Sequence, residues 1–309
     1  MEEEYAIGRF EQAAGLLPLR WQKLARQIPD WQKAQAEELR LRAGRPITAL
    51  LLEGEVLLEK EIPYQIVTQQ DLEQLCDYIS GYSRYAVTET LRRGYLTAKG
   101  GFRVGICGTA VIRDGVNTNI KGISSITIRI GRELMGVSDT VVPQLFKDGA
   151  FCSTLILAPP GLGKTTLLRD LIRQLSDGTK NFPAHRVSVV DERGEIAMLY
   201  QGVPQTEVGT HTDVLDACPK ALGIPILLRA SNPQIIAVDE ITEPEDLYAM
   251  TAASNCGVRF LATIHACDLE ELERKPLFRK VLKCHMFAKA VVVSRTEGVR
   301  RYEVTDLPC

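Results

Sequence analysis

The sequence predicts an α/β protein: a parallel sheet covered by helices over residues 151–309, preceded by a smaller α+β unit. Three observations carry that prediction. Short apolar runs at 154–158, 187–191, 235–239, 259–264 and 289–293 lack polar alternation, as strands buried on both faces do. Most of them are followed by helical patterns or turns, which is the alternation of a parallel sheet. The first run passes through a glycine loop directly into an apolar helical stripe.

A chain of 309 residues exceeds one usual domain, so two are expected. Hydrophobic residues at 45% and charged residues at 25% are ordinary for a globular protein with a full core. The net charge of −2 provides no general basic field, and no nucleic-acid partner is expected. The opening MEEEYAIGRF is acidic where a signal peptide is basic, and no apolar run approaches the roughly 18 residues of a membrane span. A cytoplasmic setting follows, with reduced cysteines, since the eight cysteines contain no C-x-x-C pair. His265, Cys267, Cys284 and His285 cluster in sequence, but H-x-C…C-H matches no common zinc spacing.

Residues 1–35 are helical in pattern, with Leu16, Leu17, Leu24 and Ile28 as an apolar stripe and Pro29-Asp30 as a break. From about Glu38 the period becomes strand-like in "ELRLRAGRPITALLLEGEVLL", with turns at Ala43–Pro46 and Glu53-Gly54. A helix is expected over Asp71–Tyr82, capped by Thr68 or Asp71. Two short strands, "GFRVGICGTAVI" and "ISSITIRIGR", follow, separated by glycines and Asn117. These elements make an α+β domain over 36–135, and 136–150 is the expected connection to the 151–309 domain.

Ligands of such sheets sit at the carboxyl ends of the strands, and the chemistry-bearing residues fall there. After "TLILA" comes Pro159-Pro160-Gly161-Leu162-Gly163-Lys164-Thr165-Thr166, a phosphate-binding loop except that Ala158 replaces its first glycine. Backbone N–H groups of Leu162 to Thr165 would cradle phosphates at the positive end of the following helix. Lys164 would reach the β- and γ-phosphates, Thr165 would ligate Mg²⁺, and Thr166 would meet the α-phosphate. Pro160 and Gly161 shape the approach, and Ala158 precedes the donors, so the ATP site reads as intact. "IIAVD" runs into Glu240, which makes Asp239 a second holder of the Mg²⁺ shell and Glu240 the residue that orients or activates water. A second acid-tipped strand, "VSVVDERGEIA", adds Asp191, Glu192 and Glu195, and "FLATIHA" ends in Thr263 and His265, placed to sense the γ-phosphate.

Four motifs in this order, 158–166, "VVDERGEIA", "LLRASNPQIIAVDEITEPED" and "FLATIHA", resemble those of the secretion-type ATPases, the motors of type II and type IV secretion and of pili. Within that superfamily "APPGLGKTTLLRD", "HTDVLDACPKA" and "NPQIIAVDEIT" look most like the stage III sporulation branch, associated with a channel between mother cell and forespore. The resemblance implies a RecA-like ATPase domain, a hexameric ring of identical chains, and membrane-embedded channel components as partners on the cytoplasmic face. It also implies arginines lent by the N-terminal domain to the nucleotide, for which Arg103 and Arg129 or Arg132 are the candidates, with Arg113 behind them. Many members have glycine where Asp239 stands here, and the tetracysteine module of the type II motors is missing. A nucleic-acid motor and a nucleotide-gated scaffold are the competing readings of the same core.

Overall fold

A computed structural model describes residues 2–59, 65–81, 94–274, 276–283, 285–296 and 299–307. The chain forms two compact units, Met1–Arg132 with Met198–Gln205, and Glu133–Ala197 with Thr206–Cys309.

In the first unit the N-terminal helical pattern resolves into three helices, α1 (Glu2–Ala14), α2 (Leu19–Gln27) and α3 (Asp30–Gln35). Pro18 and Pro29 each occupy an N-cap position, where an absent N–H costs nothing. Six antiparallel strands follow in the order β3-β2-β1-β6-β5-β4: β1 (Glu38–Arg42), β2 (Thr48–Leu51), β3 (Gly54–Leu57), β4 (Tyr95–Ala98), β5 (Phe102–Arg113) and β6 (Val116–Arg129). Leu39, Leu41, Val104, Ile106, Ile126 and Ile128 point to one face and are buried with Phe10, Trp21, Leu72 and Leu75 of the helices. Helix α4 (Gln69–Ile79) opens with a capping box between Thr68 and Asp71, and Tyr82, the expected helix end, lies outside the described residues.

The two strands expected to be short are 12 and 14 residues long and form one hairpin. Its turn is Asp114-Gly115, with φ of +50° and +76°, and Asn117 lies inside β6 rather than between the strands. Asp-Gly in a two-residue turn with both φ positive matches the right-handed twist of the flanking strands, which explains the placement.

The second unit is built on a seven-stranded sheet in the order β11-β10-β12-β13-β9-β14-β15. The five predicted strands are β9 (Thr154–Leu157), β10 (Val187–Asp191), β12 (Ile235–Val238), β13 (Arg259–Ile264) and β14 (Lys289–Thr296). All five are parallel to their neighbours in the core of the sheet. Two edge strands, β11 (Thr212–Asp216) and β15 (Val299–Asp306), carry polar and charged residues and gave no apolar run, because an edge faces water. Helices α5 (Lys164–Asp177), α6 (Lys220–Ala230), α7 (Pro244–Ser254), α8 (Leu269–Arg274) and α9 (Pro276–Lys283) accompany the sheet.

The expected connection is ordered where it meets α5. The buried Asp170 carboxylate accepts hydrogen bonds from the Ser138 N–H at 2.8 Å and hydroxyl at 2.7 Å, while Gln174 donates to Ser138 Oγ and to Asp139. The rest of the segment holds a single turn of 3₁₀ helix (Val142–Leu145) and a small hairpin of β7 (Phe146–Lys147) and β8 (Ala150–Phe151).

Candidate functional site

Strand β9 leads into the glycine loop, and α5 starts at Lys164 with Gly163 as its N-cap at φ +89°. That left-handed conformation admits glycine without strain and turns the loop's amides toward the helix end. Ala158 is fully buried, and its N–H donates to the Ile264 carbonyl at 3.4 Å, extending the sheet by one rung. The residue that breaks the glycine pattern therefore belongs to the strand and not to the phosphate cradle.

The strand order puts β13 beside β9 and β12 one further on, so the ends of these strands converge on Lys164 and Thr165. The Lys164 ammonium donates to His265 Nδ1 at 2.8 Å, and His265 Nε2 lies 3.1 Å from Glu240 Oε1. With an ammonium as donor, Nδ1 must accept, which leaves the proton on Nε2 for Glu240. Arg193 holds the other Glu240 oxygen at 2.5 Å. Glu240 itself has φ +42°, a left-handed backbone uncommon for a non-glycine residue, and its N–H donates to Thr263 Oγ1 at 2.8 Å. Burial depresses the Lys164 pKa, the neighbouring Asp239 and Glu240 charges oppose that, and Arg193 adds to it.

Asp239 accepts from Thr263 Oγ1 at 2.5 Å and from Thr165 Oγ1 at 3.3 Å. A hydroxyl and a carboxylate side by side at the helix end are hard oxygen donors, and Mg²⁺ takes few protein ligands and completes its shell with phosphate and water. Thr165 and Asp239 are therefore a donor set of the kind that ion takes. Among the described residues no three His, Cys, Asp or Glu side chains gather into a group able to hold a metal by themselves. Cys284, part of the weighed His-Cys cluster, lies outside the described residues.

The acid-tipped β10 divides its labour. Asp191 is buried, and its carboxylate accepts the N–H groups of Glu195, Ile196 and Ala197 at 2.9, 3.0 and 2.8 Å. It organises the following loop, although burial pushes its pKa up more than these donors pull it down. Glu192 pairs with Lys220, a buried lysine that also lies 3.8 Å from Asp246. Glu195 is half-buried, and its carbonyl accepts from Arg169 at 2.6 Å. Arg193 and Lys220 escaped the sequence reading, since both partnerships depend on strand order. They lie in "DERGEIA" and "DACPKA", and neither stretch by itself indicates the partner.

Arg103 and Arg129 belong to the first unit and are direct cross-strand partners on β5 and β6. The Arg103 guanidinium stacks 4.0 Å from the Tyr95 ring centre, and Arg129 Nε lies 3.4 Å from Glu38. Arg132 donates to the Ala34 and Ala36 carbonyls at the end of α3, a structural tie. No described helix is long and apolar enough to cross a membrane.

The family model described as sporulation stage III, protein AA matches residues 8–303. Stage III sporulation protein AA of Bacillus subtilis (strain 168) is 35% identical over 285 residues, covering 92% of this chain and 91% of that one. Among solved structures, the pilus retraction motor PilT with bound ADP aligns with a TM-score of 0.61 at 15% identity, over 89% of this chain and 80% of that one. The Legionella pneumophila ATPase DotB aligns with a TM-score of 0.56 at 18% identity, over 87% and 76%. At these identities the likeness to PilT and DotB is one of fold.

Proposed function

The chain belongs to the sporulation stage III, protein AA family, and we propose that within it the protein is a Mg²⁺-dependent ATP hydrolase that works as a motor. The observation that carries this reading is the convergence of Lys164, Thr165, Asp239, Glu240 and His265 at one end of the sheet, on separate elements joined by direct hydrogen bonds. A phosphate site alone needs only the glycine loop and Lys164, so the additional acid and histidine point to cleavage of the terminal phosphate.

In this reading the amides of Leu162 to Thr165 and the α5 N-terminus hold the phosphates, with Lys164 at the β- and γ-oxygens. Thr165 and Asp239 would hold Mg²⁺, which would supply charge neutralisation at the phosphates when bound. Glu240, fixed by Arg193 and His265, orients the attacking water and accepts its proton. A phosphate oxygen arriving at Lys164 competes with His265 Nδ1 for the same ammonium, so nucleotide state is transmitted through His265 to Glu240.

The arginines of the first unit complete the proposal. Arg103 and Arg129 would act on nucleotide of the same or a neighbouring chain in a closed, head-to-tail hexamer, an arrangement that an isologous dimer does not provide. Such a ring would dock on membrane-embedded components of a sporulation channel from the cytoplasmic side. Its work would drive transport or channel assembly.

Titration calorimetry with Mg-ATP tests the site. The full chain is expected to bind, and Lys164→Ala is expected to lose binding; equal affinity for both would remove the assignment. Turnover that depends on added DNA or RNA would instead favour a nucleic-acid motor.

A further inference from the structure

The hairpin of β14 and β15 runs past the end of β9. Val292 pairs with Leu157, the last residue of β9, while β14 continues to Thr296, so its final four residues extend roughly 13 Å beside the glycine loop. At that end sit three exposed arginines, Arg295, Arg300 and Arg301, with Arg295 and Arg300 directly paired across the strands. Arg300 reaches the loop itself. A β-carbon on Gly163 would lie 3.0 Å from the Arg300 Cζ and 3.2 Å from each terminal nitrogen. Among the described residues Arg300 has no hydrogen bond or ion pair.

A guanidinium against the first turn of a helix is electrostatically misplaced. The N-terminus of α5 carries a partial positive charge, and Lys164 is the next residue after Gly163. An anion between these groups removes the repulsion and satisfies the unused donors. Side then decides which part of the anion is meant. Asp239, Glu240 and His265 come from β12 and β13, on one side of β9, whereas Arg300 comes from β15, on the other. A nucleotide whose γ-phosphate faces the acids directs its α-phosphate and nucleoside toward the β14–β15 side.

Resting on the ATP-site reading above, we propose that Arg300 is a nucleotide-binding residue that holds the α-phosphate of the nucleotide seated in its own chain. It contacts a group common to ATP and ADP, so its contribution is to binding and not to the chemical step. That separates it from Arg103 and Arg129, which are invoked at the reacting end.

The test uses full-length chain and its Arg300→Ala, Arg300→Lys and Lys164→Ala variants, titrated with Mg-ATP, Mg-ADP and inorganic pyrophosphate. Losing a charge-assisted contact is expected to weaken ATP and ADP alike by about tenfold or more. Arg300→Lys should recover part of the loss, pyrophosphate affinity should hold, and KM for ATP should rise with kcat within about twofold. Unchanged ADP affinity in Arg300→Ala would overturn the proposal, as would a loss confined to ATP, which would move the residue to the γ-phosphate. If the wild-type chain and Lys164→Ala bind nucleotide equally or not at all, the ATP-site reading itself fails, and this proposal with it.

Discussion

Replacing Asp170 by Asn tests how the nucleotide-binding helix is anchored. The side chain of Asp170 is 2% exposed and accepts hydrogen bonds from the Ser138 N–H and hydroxyl, from Arg173 at 3.0 and 2.6 Å, and from the Gly136 backbone. Asparagine keeps the shape but loses the charge and turns an N–H₂ toward existing donors. Hydrogen bonds to a charged group contribute about 1.5–3 kcal/mol each, yet they are not additive, and Arg173 retains access to water. A net cost of about 3 kcal/mol is expected, which corresponds to a fall of roughly 6–12 °C in melting temperature for a unit of this size. Thermal unfolding should be followed in the transition that ADP shifts upward, since that identifies the unit holding the site.

The dependence on pH gives the same variant a second readout. Burial pushes the Asp170 carboxyl up, but hydrogen bonds from Ser138, Arg173 and the Gly136 backbone outweigh it and hold the pKa below the ordinary carboxylate value. A depressed acid stabilises the fold above its unfolded pKa, near 3.9, and that stabilisation is lost as pH falls through the folded value. The gap between wild type and Asp170→Asn should be constant from about pH 8 to pH 5 and close below that. A cost under about 0.5 kcal/mol, or a gap that widens on acidification, would refute the reasoning.

Three further outcomes follow from the site. Glu240→Gln keeps the phosphate cradle and should bind ATP near wild-type affinity while turnover falls by about 10²–10⁴-fold, measured by single-turnover phosphate release; lost binding would mean Glu240 is structural. Asp191→Ala leaves the buried N–H groups of Ile196 and Ala197 and the half-buried one of Glu195 without an acceptor and should cost about 3–5 kcal/mol in denaturant unfolding, with turnover reduced because Arg193 loses its loop. Arg129→Ala should lower turnover by about 10³-fold or more with little change in ATP affinity, and wild-type hydrolysis in this variant would remove Arg129 from the candidates.

Local patterns made much of this site legible, and the rest depended on pairing. The glycine loop, Asp239-Glu240 and His265 announce themselves because each stands where an apolar strand stops. The sheet then brings those ends together, as Lys164, His265 and Glu240 show. Arg193, Lys220 and Arg300 are different. Their roles arise from which strands are neighbours, and nothing within a few residues of each states that. The edge strands β11 and β15 were hidden for the complementary reason, since their exposed faces hold no apolar run. Asp191 shows a third limit: an acid at a strand end looks the same in sequence whether it meets a ligand or, as here, clamps its own loop. The Asp114-Gly115 turn carries a two-residue hairpin signal, set among other glycines with turn propensity of their own.

The most direct test of the motor reading is phosphate release from Mg-ATP at increasing protein concentration, with oligomer mass recorded in the same samples. Turnover per chain should rise as rings form and be absent in Lys164→Ala. Tight ATP binding with no phosphate release at any concentration would contradict the account and leave a scaffold that nucleotide only gates.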